Sequence, residues 1–451
     1  MMIRYVCSRL FPLSRLLAVC LFSTAAYPAS SLSQFTWTRI MIDNGGHGGP
    51  DFGIAAGDLS GDGKIDIAAG KFFYRNPGGD MSGAWGKAAL SQPSEGVAEA
   101  VAMVDVDGDG RLDILAVGPG GLYWYKPDNA QGTSFTRYKI GSHGASEDGL
   151  GPQGWALAQI VPGGKPELAI PGGYYEIPAS NPQAGNWPFT ALSATDGTTS
   201  IEAVDLDNDG DMDLVGGLYA GGDIWWLENA GGGTWTEHVI GTGGAKAVRF
   251  ADVNGDGRLD VILTVETDPS PVRWLEQPVN PKSGNWPSHT IATTSMCLCL
   301  GAGDFDHDGK IEVLTGEATG SMRVQIWDSD NNGVSWTPYL VSDINAANLQ
   351  THLGCVVADF DGDGDIDIAT GSYYNGDKFW IWRTNSPATG IAPKAGSAAA
   401  PTASKSTPAV RLWPDRGAGG FTASGRLMGP TSILPAAQAT TGSISPKGAT
   451  R

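Results

Sequence analysis

The chain has 451 residues, with 65 glycines, 17% charged residues and a formal net charge of −19. A chain of this length contains either several domains or one large repeat architecture. Abundant glycine with few charged residues is typical of short strands joined by tight turns, so the composition predicts an all-β fold. The acidic excess argues against binding to nucleic acid or to anionic membranes.

The N-terminal segment has the features of a secretory signal peptide. Arg4, Arg9 and Arg15 precede an apolar run at 16–22, and small residues follow that run. We expect a signal peptide over 1–26, with cleavage after Ala26 and secretion of the mature chain. The apolar run is too short to span a membrane and no later stretch is long enough, so membrane insertion is not expected.

An aspartate-rich pattern of nine residues recurs along the chain, with starting points 46 to 55 residues apart. Six copies have the form Asp-x-(Asp, Asn or Ser)-x-Asp-Gly-x-x-(Asp or Glu), and a copy at 159–167 keeps the length but has lost the acids. The interval fits one four-stranded blade with its turns. The sequence therefore predicts a seven-bladed β-propeller over 27–385, followed by a disordered tail at 386–451 that is rich in Ala, Pro, Ser, Thr and Gly.

Aromatic residues recur with the same period. One of them, Trp37, opens a strand-like segment that ends at Ile42, before the first acidic copy. We expect this segment to be the outermost strand of the last blade, because pairing the two chain ends removes the open sheet edges. The aromatics that follow the acidic copies are interpreted as packing anchors between blades, with sugar stacking as the alternative. They are Phe73, Trp124, Tyr174, Trp226, Trp274, Trp327 and Trp382.

The acidic positions of the repeat are predicted calcium ligands, because Ca²⁺ takes six to eight oxygen atoms in flexible geometry. Positions 1, 3, 5 and 9 supply side-chain oxygen, position 7 supplies a backbone carbonyl, and glycine at position 6 permits the sharp turn. An EF-hand would need a glutamate at position 12 and flanking helices, so that interpretation fails. We predict up to six structural calcium ions. The predicted ligands, copy by copy, are Asp58, Ser60, Asp62, Lys64 and Asp66; Asp105, Asp107, Asp109, Arg111 and Asp113; Asp205, Asp207, Asp209, Asp211 and Asp213; Asp252, Asn254, Asp256, Arg258 and Asp260; Asp304, Asp306, Asp308, Lys310 and Glu312; and Asp359, Asp361, Asp363, Asp365 and Asp367.

The segment Asp-Phe-Gly-Ile-Ala-Ala-Gly-Asp at 51–58 resembles the FG-GAP pattern, and 249–257 keeps mainly the acidic loop of that pattern. Over about 35–385 the chain is similar to the FG-GAP/VCBS propellers, which include the integrin α-chain head and a seven-bladed fungal lectin. The resemblance implies a calcium-binding propeller. It does not choose between adhesion, lectin activity and attachment to a sugar-processing enzyme. The third copy departs from the family pattern, so no calcium is expected there.

Propellers bind ligands mostly at the axial mouth, where the entries to the innermost strands converge. The residues just before each acidic copy should lie around this rim, and they differ from blade to blade. The alternative is that they are ordinary polar loop residues near solvent. The candidate ligand-binding residues are His47, Asp51, Glu99, Gln153, Ser200, Lys246 and His352.

The sequence predicts a monomeric, non-catalytic extracellular module that binds carbohydrate or a surface protein. It has no GxSxG, HExxH or glycine-rich phosphate motif. The alternative is a polysaccharide lyase or sugar dehydratase, in which His47 or His352 acts as base and Lys246 neutralises a carboxylate. A second metal held by His47, Asp51 and His352 would be another route to such chemistry.

Two further expectations concern the innermost strands. Glu202 and Arg249 occupy a position that is Ala, Gly or Val in the other copies, so each charge should face the channel or form an ion pair. Cys297 and Cys299 both have opposite parity to Cys355 of the adjacent blade, so either could approach it. Cys299 is offset from Cys355 by one position and Cys297 by three, which predicts a Cys299–Cys355 disulfide and leaves Cys297 free near the rim. Three buried, unlinked thiols are the alternative.

Overall fold

The computed structural model describes residues 32–44, 53–90, 99–118, 120–142, 154–192, 200–329, 332–343, 351–372 and 378–386. These ranges form 28 strands in seven four-stranded sheets, with short 3-10 helices at Leu32–Gln34 and Pro182–Ala184. The predicted seven-bladed β-propeller is therefore confirmed. The predicted signal peptide, and all of the predicted tail except Ser386, lie outside the described residues. In the ranges above, no helix combines the length and the apolar character needed to cross a bilayer.

Strand β1 (Thr36–Asn44) comes first in the chain, and each of the first six blades then uses four consecutive strands, ordered from the innermost to the outermost. Blade one has β2 (Ile54–Gly57), β3 (Asp66–Ala69), β4 (Phe72–Arg75) and β5 (Gly86–Ala89); blade two has β6 (Glu99–Val104), β7 (Asp113–Gly118), β8 (Gly121–Pro127) and β9 (Phe135–Gly141); blade three has β10 (Ala156–Ala158), β11 (Glu167–Ile170), β12 (Gly173–Glu176) and β13 (Phe189–Ala191); blade four has β14 (Ser200–Val204), β15 (Asp213–Gly217), β16 (Asp223–Asn229) and β17 (Trp235–Thr242); blade five has β18 (Ala247–Ala251), β19 (Asp260–Thr264), β20 (Ser270–Leu275) and β21 (Ser288–Thr294); blade six has β22 (Cys297–Gly303), β23 (Glu312–Glu317), β24 (Arg323–Ser329) and β25 (Trp336–Asp343); and blade seven has β26 (Thr351–Ala358), β27 (Asp367–Ser372) and β28 (Lys378–Asn385).

The fourth strand of blade seven is β1. It pairs antiparallel with β28, with Thr36 opposite Asn385, and the register shifts once, between Met41 and Asp43. The seventh sheet thus combines strands from both ends of the described chain. Every sheet is antiparallel, so each inner pair of strands is joined by a short turn, and the aspartate-rich copies are these turns.

The core consists of seven apolar clusters, each of which joins two neighbouring blades. The cluster between blades seven and one contains Ile54, Tyr74, Phe379 and Ile381, so packing continues around the whole ring. The predicted aromatic anchors lie in these clusters, and Trp226 is fully buried. Six of the seven rings are buried and Trp327 is partly buried, so the repeated aromatics pack between blades, and a buried ring has no face free for a sugar.

Antiparallel order places the connections of every blade at two opposite ends. The turns between first and second strands, which carry the acidic copies, lie at one end; we call this end the loop face. The connections between second and third strands, and those from one blade to the next, lie at the other end; we call it the rim face. The acidic turns therefore lie on the face opposite to Lys246, the predicted ligand residue whose side chain is described.

Candidate functional site

The acid at position 9 of each loop is buried and joins the loop to its sheet. In blade four, Asp213 Oδ2 accepts a hydrogen bond from the backbone N–H of Leu206 at 3.0 Å, and Asp213 Oδ1 accepts one from Asn229 at 2.8 Å. Asp260 and Asp367 are held by the same pair of bonds in their blades. This carboxylate therefore fixes the turn through the protein's own hydrogen bonds.

The acid at position 1 organises the rest of the turn. In blade two, Asp105 Oδ1 accepts hydrogen bonds from the N–H groups of Gly108 and Asp109, and Asp105 Oδ2 accepts one from Gly110. Gly110 is the position-6 glycine and has a φ of 86°, a conformation that residues with a Cβ rarely adopt. The backbone thus wraps around the carboxylates, as the sequence predicts.

Four of the loops bring three or more acids together, with one oxygen atom from each lying within 4.8 Å of the others. Blade six has the largest group, in which all four acids of the loop meet. The loops that carry Ser60 and Asn254 at position 3 are not among the four, because a neutral side chain replaces one acid. The groups are Asp105, Asp107 and Asp113; Asp205, Asp207 and Asp209; Asp304, Asp306, Asp308 and Glu312; and Asp359, Asp361 and Asp367.

Two of these groups contain buried carboxylate oxygens that have no hydrogen-bond partner. They are Asp205 Oδ1 and Asp207 Oδ1 in blade four, and Asp304 Oδ1 and Glu312 Oε1 in blade six. A buried anionic oxygen without a partner is costly, and a bound cation would satisfy it. The donor set, which is carboxylate and carbonyl oxygen only, suits a hard dication such as Ca²⁺.

The electrostatics of the loops agree with this need for a cation. Burial, with a smaller contribution from neighbouring acids of each loop, raises the pKa of Asp213 to about 8 and that of Glu312 to about 10. Burial likewise raises the pKa of Asp113 to about 7. Without a cation, these groups retain protons near neutral pH. A bound dication would take the place of those protons and supply the missing positive charge.

In the third loop, an uncharged side chain occupies the centre of the turn. Gln159 Nε2 donates hydrogen bonds to the carbonyl oxygens of Val161 at 2.6 Å, Gly163 at 3.0 Å and Lys165 at 3.4 Å. The last of these carbonyls is the position-7 carbonyl of the repeat. An amide nitrogen therefore lies where the other loops gather acidic oxygens, which explains in physical terms how this copy keeps its length without its acids.

The seven predicted rim residues fall into three groups according to how much of each the structure describes. His47, Asp51 and Gln153 lie outside the described residues. The backbone positions of Glu99, Ser200 and His352 lie in β6, β14 and β26, but their side chains fall outside the described part.

Lys246 is the predicted rim residue whose side chain is described. That side chain is only 1% exposed, and its Nζ lies 2.7 Å from Glu266 Oε2. Glu266 in turn donates a backbone hydrogen bond to the carbonyl oxygen of Tyr219 at 2.8 Å. Lys246 therefore belongs to a charged pair beneath the connections of blades four and five.

The sequence analysis missed two exposed apolar residues next to this pair. Tyr219 is 51% exposed and Leu218 is 39% exposed, and both lie on the rim face in the connection between β15 and β16. An exposed aromatic ring beside buried charges is a feature of ligand-binding surfaces. The available signal was that Tyr219 falls outside the repeating aromatic positions, in a glycine-rich connection.

The predicted disulfide is not formed. Cys297, Cys299 and Cys355 are all free and buried. The predicted proximity is correct, since Cys299 and Cys355 pack in the cluster between blades six and seven and are hydrogen-bonded to each other. Cys297 begins β22 at the rim face but is fully buried. Burial raises the pKa of Cys297 to about 12, so its thiol is protonated and unreactive.

Comparisons with known proteins agree with the fold. The family described as FG-GAP-like repeat matches residues 205–263, 252–315 and 304–370, which carry the last four acidic loops. No curated protein matches the sequence.

Three solved structures illustrate what the chain is similar to. A lectin from Agrocybe aegerita, described as recognising non-reducing terminal N-acetylglucosamine, is 16% identical with a TM-score of 0.46, over 74% of this chain and 93% of the lectin. The V. cholerae biofilm matrix protein Bap1 is 14% identical with a TM-score of 0.38, over 83% and 82%. A chain of the mitotic checkpoint complex is 13% identical with a TM-score of 0.47, over 79% and 96%. Likenesses at this level identify no ligand. The seven sheets establish that the chain is a seven-bladed β-propeller, and residues 205–370 of it match FG-GAP-like repeats.

Proposed function

We propose that this chain is a secreted, calcium-stabilised propeller that binds carbohydrate or a surface protein on its rim face. The observation that carries the proposal is the division between the two faces. The loop face repeats one acidic turn in six blades, whereas the sequences on the rim face differ in every blade. A repeated element is typical of a structural role, and a varied face on a rigid scaffold is typical of ligand recognition.

The calcium part of the proposal rests on the unpartnered carboxylate oxygens of blades four and six. In each loop the ion would be held by the side chains of positions 1, 3, 5 and 9 and by the carbonyl of position 7. When bound, calcium supplies positive charge that holds the turn between first and second strands. We assign the ion a structural role, because its proposed ligands are the side chains and the backbone of the turn itself.

The ligand part of the proposal rests on the neighbourhood of Tyr219. The exposed ring and Leu218 give an apolar platform, and Glu266, whose backbone N–H donates to the Tyr219 carbonyl, has a side chain that is 28% exposed and supplies a polar group close by. A platform of this kind suits the apolar face of a sugar ring or an apolar side chain of a protein partner. We propose that His47 and His352, which the sequence predicts as ligand-binding residues, extend this site.

A glycan array and a panel of extracellular proteins test the ligand assignment. We expect binding by the wild-type protein, and a loss of at least about tenfold in affinity for Tyr219→Ala, because one anchoring ring is worth about 1–2 kcal/mol or more. The matched control is Val279→Ala, since Val279 is 86% exposed and lies on the loop face, between β20 and β21. Equal losses in both variants, or formation of an unsaturated sugar product, would overturn the binding-module assignment.

A further inference from the structure

One position of the repeat lies directly beside each acidic loop and was not recognised from the sequence. Position 9 of each loop is the first residue of the second strand. The residue paired directly opposite it on the third strand is called the flanking residue. In blade three the pair is Glu176 opposite Glu167, and the same register places the others. The flanking residues, in blade order, are Arg75, Lys126, Glu176, Glu228, Glu276, Asp328 and Arg383.

The sign of the flanking charge divides the blades. Blades one, two and seven have a base, and blades three to six have an acid. In blade two, Lys126 Nζ contacts Asp107 and lies 3.0 Å from Asp109 Oδ2, so it bonds to the acids of positions 3 and 5. In blade one, Arg75 Nη2 lies 3.0 Å from Asp62 Oδ2. A nitrogen cation of the protein thus occupies part of the space that a metal ion would need.

Blades with an acidic flanking residue behave differently. In blade six, Asp328 is close enough for its charge to act on Asp306, and this loop contains the unpartnered oxygens of Asp304 and Glu312. Among the described loops, unpartnered carboxylate oxygens occur only in blades four and six, both of which have an acidic flanking residue. The acidic flanking residue supplies no positive charge to either of these two loops, and in blade six Lys310 Nζ, 3.1 Å from Asp308 Oδ2, leaves the oxygens of Asp304 and Glu312 unpartnered. Blade five, whose flanking residue Glu276 is also acidic, has no such oxygen among its described loop acids.

The loop of blade four has less uncompensated negative charge around it than the loop of blade six. Lys282 Nζ lies 2.6 Å from Glu228 Oε1 and 3.6 Å from Asp207 Oδ2, which offsets part of the charge of that flanking residue. Lys282 is also 45% exposed and can move toward solvent. Blade six has four converging acids and two unpartnered oxygens, so it presents the strongest demand for a cation.

We propose that the charge of the flanking residue sets how tightly each loop holds calcium, with the loop of blade six the tightest and the loop of blade two weakened by Lys126. The inference rests on the proposed calcium function and adds a ranking of the loops to it. Its physical basis is competition, because the ammonium group must leave the carboxylates before a dication can bind them. The third loop shows the limiting case, in which Gln159 Nε2 takes the place of the ion.

Two charge reversals test the ranking. The proteins are stripped with a chelator and then titrated with calcium by equilibrium dialysis, with metal analysis of bound ion. Lys126→Glu should strengthen one weak site by at least about tenfold and so raise the number of tight sites by one. Asp328→Lys should weaken one tight site by a similar factor. Lys71→Glu is the control for Lys126→Glu, since it makes the same change in net charge at the turn between β3 and β4 on the rim face, and Asp328→Lys is compared with the wild-type protein.

Different outcomes would overturn the ranking of the loops and the proposed calcium binding itself. A wild-type protein that binds no calcium would overturn both. A wild-type protein that binds calcium, with Lys126→Glu giving the same titration as Lys71→Glu and Asp328→Lys the same titration as the wild type, would overturn the ranking and leave calcium binding standing. Circular dichroism of each variant checks that it is folded, and a folded Lys126→Glu that gains a tight site would exclude a merely structural role for Lys126.

Discussion

Arg249 Nη1 lies 2.7 Å from Glu202 Oε1, and this ion pair links the first strands of blades four and five. The side chains are 15% and 19% exposed, so each charge depends on the other for much of its stabilisation. The sequence left two interpretations of these charges, a channel-facing group or an ion pair, and the ion pair is confirmed. It connects two adjacent blades at the innermost strands, where other blades have Ala, Gly or Val.

We expect Arg249→Met to lower the free energy of unfolding by about 2 kcal/mol, because it leaves Glu202 partly buried without its partner. Adding Glu202→Gln should restore part of that loss, since the double variant has no unpaired charge. Urea denaturation of the two single variants and the double variant gives the coupling energy. Additive losses would show that the pair is not an energetic unit.

Removal of β1 should destabilise blade seven. Deleting Thr36–Asn44 exposes the edge of β28, which pairs with β1 along its length. We expect aggregation or a lower melting temperature, measured by size-exclusion chromatography and thermal unfolding. The control is Met41→Ser in the same strand, because Met41 is 47% exposed. A deleted protein that remains monomeric with an unchanged melting temperature would contradict the role of β1.

The three described cysteines should be unreactive in the native protein and free after unfolding. Cys297 and Cys299 are at most 1% exposed, and burial raises their thiol pKa values. Alkylation at about pH 8 should therefore label none of the three cysteines in the native protein. It should label all three after denaturation without reductant, as measured by peptide mapping. Recovery of a Cys299–Cys355 linked peptide would instead show that the hydrogen-bonded pair oxidises.

The metal-free protein should lose stability as the pH rises from about 4 to about 8. Burial raises the pKa of Asp213 and of Asp367 to about 8 from 3.8, so the folded state keeps protons that the unfolded state releases in this range. Acids with lowered pKa values, such as Glu317, titrate below this pH range and do not contribute to this loss of stability. Calcium should abolish the fall by replacing the protons. The measurement is the melting temperature at about pH 4 and at about pH 8, in chelator and in calcium. A chelated protein that is equally stable at the two pH values would be inconsistent with buried, protonated loop acids.

The sequence predicts the repeated parts of this protein well. The period of the acidic turns gives the number of blades, and the alternation of side chains in a strand places Cys299 beside Cys355. The flanking residues were not found, because the distance along the chain from each loop to its third strand varies with the length of the connection, as between Lys126 and Asp328. Gln159 was recognised only as a lost acid, since its three hydrogen bonds depend on the folded turn. Parity also could not decide whether two adjacent thiols are bonded.

The number of calcium ions per purified chain tests the central claim most directly. Protein prepared without chelator and exchanged into metal-free buffer is analysed for metal by atomic emission. The structure of the loops predicts at least two calcium ions per chain, with a lower melting temperature after chelation that recovers when calcium is restored. One calcium ion or fewer per chain, with no effect of chelation on melting, would contradict the calcium-stabilised propeller.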